Sequence, residues 1–173
     1  MIIIFTGNGK GKTTAALGQA LRAIGNGGSV LMVQFIKGPW ISGEHKSALK
    51  LKPNFRIERM GKGFVGIGND SLPFDTHVTA AEKGIAFARR QIRKGRWKIL
   101  ILDEIWNALH LGLLPAESVS NFIKMAKPRI DHLIMTGRNC PQEFIDGADI
   151  VTEMKEIKHP FKNGVRGRAS VEY

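Results

Sequence analysis

Residues 1–18 read MIIIFTGNGKGKTTAALG. Ile2 to Phe5 is a β-branched and aromatic run that ends at glycines, which predicts a short buried strand. From Thr13 onward, Ala16, Leu17, Ala20, Leu21 and Ile24 recur at helical spacing, and Gly25, Gly27 and Gly28 stop that helix. A Gly-rich turn between a strand and a helix presents backbone N–H groups to phosphate oxygens. Lys12 adds a point charge there, and the Thr13 hydroxyl suits Mg²⁺. The usual phosphate-loop pattern is Gly-x-x-x-x-Gly-Lys-Ser/Thr. Here only Asn8, Gly9 and Lys10 separate Gly7 from Gly11, and Thr6 stands where the pattern has its first glycine. The cradle is a shortened one.

Strand and helix signals alternate along the rest of the chain. Strands are expected over Ser29 to Ile36, Phe55 to Met60, Lys98 to Leu102, Leu133 to Met135 and Asp149 to Ile157. A long helix is expected from a cap at Asp75 or Thr76 to about Arg93, with Val78, Ala81, Ile85, Ala88 and Ile92 inward. Shorter helices are expected over Glu117 to Lys127 and Pro141 to Ile145. This order predicts an α/β domain with a mostly parallel sheet flanked by helices on both faces. Neither a repeat nor a linker interrupts it, so residues 1–173 are expected to form one domain.

In such sheets ligands bind beyond the carboxyl ends of the strands. Gly7 to Thr13, Gln34 to Lys37, Asp103-Glu104 and Thr136 to Arg138 all lie at predicted strand ends, so four motifs converge on one rim. In ILILDEI, the apolar strand ending at Asp103 is the usual partner of a phosphate loop, holding Mg²⁺ directly or through water. Glu104 has two roles open to it: orienting a water, or binding the metal where no water needs activating. Gln34, Lys37 and Glu44 in VQFIKGPWISGE could meet a ligand, or the stretch could be a structural loop packed around Trp40. In GKGFVGIGND, Phe64, Val65 and Ile67 suit either a flap over an apolar ligand or burial in the core. Arg138 suits phosphate or a surface ion pair. Arg22 and His159 lack the partner spacing of a metal site or triad and read as solvated positions.

Composition narrows the classes further. A chain of 173 residues with 43% hydrophobic content can bury a real core. One cysteine, Cys140, excludes an internal disulfide and fits a reducing compartment. No apolar run approaches the roughly 20 residues that span a bilayer, and the apolar start leads straight into glycines rather than a cleavage site. A cytoplasmic protein is expected. The net charge of +11 is compatible with nucleic acid. The bases are spread along the chain, however, without interleaved aromatics, which favours a small polyanionic ligand.

Taken together and in order, FTGNGKGKTTAALG, VQFIKGPWISGE, LDEIWNAL, TGRNCPQEFIDGADIVTEM, KHPFKNG and the terminal VEY resemble the P-loop ATP:corrinoid adenosyltransferases. The likeness runs from about Ile3 to Tyr173. It implies a RecA-like P-loop fold, often as a homodimer. It implies transfer of the 5′-deoxyadenosyl group of ATP to the cobalt of a reduced corrinoid, with release of triphosphate, Mg²⁺ or Mn²⁺ as cofactor, and a reductase that supplies Co(I). It implies that ATP is held reversed relative to most P-loop proteins, so the loop grips the far phosphate. By matching position, Gly7, Asn8, Gly9, Lys10, Gly11, Lys12, Thr13, Thr14 and Arg22 would bind ATP. Lys12 and Glu104 would serve catalysis, and Thr13, Asp103 and Glu104 the metal. Phe64 would shield the lower face of the corrinoid and help remove the lower cobalt ligand. Two departures stand out. Family members carry a Trp two residues beyond the Phe64 position, where this chain has Gly66. Many members also have an N-terminal extension over the active site, whereas this chain starts at the first strand, so shielding would come from elsewhere or be weaker. The competing expectations are a P-loop ATPase or kinase, with Glu104 placing a water or hydroxyl, and a basic RecA-like module that binds nucleic acid.

Overall fold

The four inner strands are short, apolar on both sides and free of proline, which suits a parallel sheet covered on both faces, while the edge strands FRIER and IVTE carry charged residues. The computed structural model describes residues 1–67, 70–160, 164 and 171. Its sheet contains β1 (Ile2–Thr6), β2 (Val30–Gln34), β3 (Phe55–Arg59), β4 (Ile99–Asp103), β5 (His132–Thr136) and β6 (Ile150–Glu153). The spatial order is β3-β2-β4-β5-β1-β6, and every pairing is parallel. The architecture is α/β and consistent with a RecA-like P-loop fold.

Alternation along each strand sorts side chains into two cores. Ile2 and Ile4, Leu31 and Val33, Leu100 and Leu102, and Leu133 and Met135 face one side. There they meet α3 (Phe74–Arg93), α4 (Ile105–His110), α5 (Ala116–Ala126) and α6 (Gln142–Asp146), through residues such as Ile85, Trp106, Phe122 and Phe144. Ile3, Phe5, Val30, Met32, Ile99, Ile101 and Ile134 face the other side. They pack on Ala16 and Ala20 of α1 (Lys12–Gly25) and Ala48 of α2 (Gly43–Lys50). The small residues let α1 lie close to the sheet, and that fixes the helix start beside the strand ends.

Several expected boundaries move. The last strand ends at Glu153 rather than Ile157, because the chain turns at Met154 to strap the phosphate loop. The long helix begins at Phe74, with Pro73 as an extended N-cap. Neither Asp75 nor Thr76 caps it. Thr76 instead donates its backbone N–H to Pro73 O at 2.9 Å, and proline's fixed φ is already suited to a helix entry. Two short helices, α2 and α4, were not expected. The first buries only Ala48, so its sequence carries almost no apolar period. The second follows β4 without a loop, entered through Glu104 at φ 62. No helix among the described residues is long and apolar enough to cross a membrane. Most of KHPFKNG after Pro160, nearly all of VEY, and Gly68-Asn69 in the Gly-rich loop lie outside the described residues.

Candidate active site

The site begins with the loop backbone. Gly7 has φ +92 and Gly11 φ +113, conformations that a side chain would strain. A Cβ at Gly7 would also lie 2.5 Å from Met154 O, and one at Gly9 2.7 Å from the same atom. The segment after β6 therefore presses directly on the loop. It is tied there by Met154 N–H to Thr6 O (2.8 Å) and Gly9 N–H to Met154 O (2.6 Å). Lys12, which is buried, closes the loop from within by donating to Gly7 O at 2.8 Å and Gly9 O at 2.7 Å. An ammonium has three protons, so one donor remains for an anion. The first backbone N–H groups of α1 have no intrahelical acceptor and point to the same place. Asn8, Lys10 and Thr14 are exposed around this mouth.

The next layer is built on Asp103. The loop strand β1 and the carboxylate strand β4 are not neighbours, since β5 lies between them. Thr136, the last residue of β5, holds the end of β4 by donating its hydroxyl to Asp103 Oδ1 at 2.8 Å and accepting from Glu104 N–H at 2.9 Å. Thr13 donates to the same Oδ1 at 2.8 Å. Gln34, in register with Asp103 across the sheet, donates its amide to Oδ2 at 3.1 Å. Asp103 is fully buried. Burial raises its pKa, opposed by the Thr136 and Thr13 hydroxyls, the Lys37 charge and the Gln34 amide. A carboxylate that accepts three hydrogen bonds is a positioned acceptor, and the Thr13 proton it takes leaves that hydroxyl's lone pairs facing outward.

Glu104 differs from its neighbour in backbone conformation and in hydrogen bonding. Its left-handed backbone turns it away from the strand direction, and its carboxylate makes no hydrogen bond or ion pair within the described residues. Its pKa is raised to about 7, first by burial and then by the charge of Asp103, against the opposing charges of Lys12, Arg138 and Lys37. The Lys12 pKa is lowered chiefly by burial and by Arg138, against Glu104 and Asp103. These mutual effects place Lys12, Arg138, Lys37 and the two carboxylates around one space. Arg138 follows Gly137, whose φ of +140 and close seat against Trp106 and Asn107 exclude a Cβ. Its backbone N–H is held by Asn107 Oδ1 at 2.6 Å.

All four predicted strand ends thus meet on one rim, with three qualifications. Gln34 does not face a ligand. It is completely buried and spends its amide on Asp103 and His45. Lys37 and Glu44 pair with each other at 2.7 Å. Burial opposes ionisation of Glu44, but the Lys37 and Ser42 hydrogen bonds outweigh it and hold the pKa at about 2. Arg22 lies exposed in the last turn of α1, roughly 13 Å along the axis from Thr13 at 1.5 Å per residue. The structure does not bring it to the loop. Cys140 is an inert thiol whose pKa is pushed up to about 12 by burial.

Beside the polar rim stand two apolar loops. Phe64 and Ile67 are exposed, while Val65 packs on the core, so the expected flap is divided between the two uses. Trp40 approaches Phe64 with ring centroids 6.4 Å apart. Arg59 fixes the Trp40 loop by donating to Pro39 O and Trp40 O. Asp70 fixes the Phe64 loop by accepting from Gly66 and Leu72 N–H groups and pairing with His77. A separate cavity of about 430 Å³ borders Arg59, Lys62, Asp75 and Lys83. It contains no phosphate-loop residue, so the nucleotide place rests on the loop and carboxylate geometry.

No group of three or more His, Cys, Asp or Glu side chains forms a metal cage among the described residues. The Thr13 hydroxyl and Glu104 carboxylate nevertheless fit a hard cation that takes its remaining oxygens from phosphates and water. Asp103, fully buried and already accepting three hydrogen bonds, fits a supporting place behind Thr13.

The chain has known relatives. The family model described as ATP:corrinoid adenosyltransferase BtuR/CobO/CobP matches residues 1–173. A corrinoid adenosyltransferase from Sinorhizobium sp. is 38% identical over 174 residues, covering 100% of this chain and 80% of the relative. The corrinoid adenosyltransferase of Escherichia coli K12 is 35% identical over 173 residues, covering 100% and 85%. The corrinoid adenosyltransferase CobA of Salmonella typhimurium is 35% identical over 178 residues, again covering 100% and 85%. With the whole chain matched, the protein belongs to the ATP:corrinoid adenosyltransferase family.

Proposed function

We propose that the protein transfers the 5′-deoxyadenosyl group of ATP to the Co(I) centre of a reduced corrinoid. The cobalt electron pair forms the bond to C5′, the C5′–O bond breaks, and its electrons leave on triphosphate. Cobalt passes formally from Co(I) to Co(III). The nucleophile is the metal of the substrate, so no general base is needed. What the protein must supply is alignment and stabilisation of the departing charge.

The observation that carries this reading is the family match across residues 1–173 on a chain whose phosphate loop and carboxylates meet at one rim. Lys12, the Gly7 to Thr14 backbone and Arg138 suit the triphosphate. Asn8 and Lys10 sit at the loop mouth as further ATP contacts, and Arg22 would reach ATP only from the far end of α1. Thr13 and Glu104 would hold Mg²⁺ or Mn²⁺, with Asp103 behind Thr13. Such a cation, when bound, neutralises charge building on the phosphates. The exposed Trp40–Phe64 pair suits the flat apolar face of the corrinoid, with Phe64 at its lower side. A homodimer, a cytoplasmic location and a reductase that delivers Co(I) complete the proposal. Sedimentation of the purified chain tests the dimer.

Product analysis tests the reaction. Incubation with MgATP and chemically reduced cobalamin is expected to give adenosylcobalamin and intact triphosphate. ADP and phosphate without a cobalt–carbon bond would instead mark an ATPase or kinase, in which Glu104, with a pKa of about 7, would be a competent base.

A further inference from the structure

The polar chain behind Asp103 does not stop at Gln34. Gln34 Oε1 lies 2.8 Å from His45 Nε2. On the other side of that ring, Ser42 backbone N–H lies 3.0 Å from Nδ1. A backbone N–H can only donate, so Nδ1 accepts and the ring proton of the neutral imidazole sits on Nε2. Nε2–H then donates to Gln34 Oε1. This fixes the Gln34 amide with its nitrogen toward Asp103, as the 3.1 Å contact requires. Each link has one donor and one acceptor, and the chain runs Ser42–His45–Gln34–Asp103–Thr13.

The charged groups around the ring agree with a neutral state. Burial lowers the His45 pKa, helped by Arg59 and Lys37 and opposed by Glu44 and the Ser42 backbone. The ring is half-buried between α2 and the end of β2, while Gln34 is completely buried. A hydrogen-bonded amide in that position has no rotational alternative that keeps both partners, since the flipped form would set its oxygen against the Asp103 carboxylate. His45 is what holds the flip.

We infer that His45 is a positioning residue for the metal end of the nucleotide site, acting through Gln34 to keep Asp103 aligned on the Thr13 hydroxyl. The inference rests on the proposed nucleotide role of this rim. It assigns a function to α2, whose only buried residue is Ala48. By holding Gln34 on Oδ2, His45 leaves Oδ1 to the two threonine hydroxyls. It also couples the loop that carries Lys37 and Trp40 to the phosphate loop, through side chains rather than backbone.

Two substitutions separate this role from simple helix capping. His45→Gln places an amide nitrogen near the Nε2 position, keeping the donor to Gln34 and losing the cap acceptor. His45→Asn keeps a cap acceptor and lacks the reach to Gln34. The readout is the Mg²⁺ concentration for half-maximal binding of ATP, measured without corrinoid on the full chain, beside thermal melting. His45→Asn is expected to raise that concentration about fivefold, the scale of one net hydrogen bond, with a fall in melting temperature no larger than that of Gln34→Ala. His45→Gln is expected to stay near wild type in metal dependence. The double variant His45→Asn/Gln34→Ala should lose no more than Gln34→Ala alone, as for two members of one chain. A cap role gives the reverse ranking of Asn and Gln, and additive losses mean that the chain does not transmit. Either result overturns the inference. A wild-type protein that fails to bind MgATP would overturn the nucleotide reading itself, and with it this inference.

Discussion

The rim at the phosphate loop and the pair of loops beside it are built on opposite terms. At the rim, Asp103 is buried and accepts three hydrogen bonds, Lys12 is closed onto two carbonyls, and Thr13 joins the start of α1 to the end of β4. In the neighbouring loops, Trp40 and Phe64 are 65% and 62% exposed, with ring centroids 6.4 Å apart. The difference suits what each is proposed to recognise. A triphosphate and its cation need fixed charges in place before they arrive, because reorganising dipoles during reaction is costly. A large flat ring system needs apolar area, and its exposed rings can adjust at little cost. The polar half is specified by hydrogen bonds, and the apolar half by shape.

The sharpest way to break this contrast is at Lys12. Lys12→Ala removes both loop closures and the cation facing the phosphates, and is expected to lower turnover by about 10³-fold. Near-wild-type rates under saturating ATP would take the loop out of the mechanism. Glu104→Gln should come next, raising the Mg²⁺ requirement by about tenfold or more, on the scale of a lost charged contact. An unchanged metal titration would end its proposed role as a ligand.

The pH dependence tests the same residue without mutation. The Glu104 pKa is raised, to about 7, so the carboxylate is protonated below that pH and ionised above it. Only the ionised form attracts a cation. Metal-dependent ATP binding should therefore weaken as pH falls from 8 to 6, by about tenfold from the change in ionised fraction. Glu104→Gln should flatten the profile. The stability sign is opposite. A raised carboxylate pKa favours the folded state at low pH, and that contribution is lost as pH rises through about 7.

Phe64→Ala probes the apolar half. It should cost about tenfold on corrinoids that carry a lower ligand and less on incomplete ones, the scale of one buried aromatic contact. Equal losses on both would assign Phe64 to packing. Its exposure predicts the smallest effect of all on folding, within about 0.5 kcal/mol by denaturant titration.

Much of this was legible in the sequence, and the exceptions have physical reasons. The strands, the order of helices and the convergence of four motifs follow from runs such as IIIF and ILIL, where apolar period and glycine placement leave few alternatives. Asp103 and Thr13 were identified as partners because a phosphate loop requires a carboxylate at a nearby strand end. The role of Gln34 was not, because strand register alone puts it beside Asp103, and register is a tertiary fact. His45 was missed for a related reason. The capping pattern before α2 has histidine where Glu or Gln is usual, and its reach to Gln34 depends on how α2 docks. The strap at Met154 shows how the loop tolerates its shortness: Thr6 finishes the strand, and a neighbouring segment supplies the support that a longer loop would provide for itself.

The central claim is that the shortened loop holds the triphosphate by its far end, with C5′ turned toward the apolar loops. A crystal structure with MgATP bound tests it most directly. The account predicts the γ-phosphate within the Gly7 to Thr13 backbone, the cation on Thr13 and Glu104, and the ribose C5′ on the side of Trp40 and Phe64. A β-phosphate in that cradle, with the γ-phosphate presented to a water beside Glu104, would contradict it.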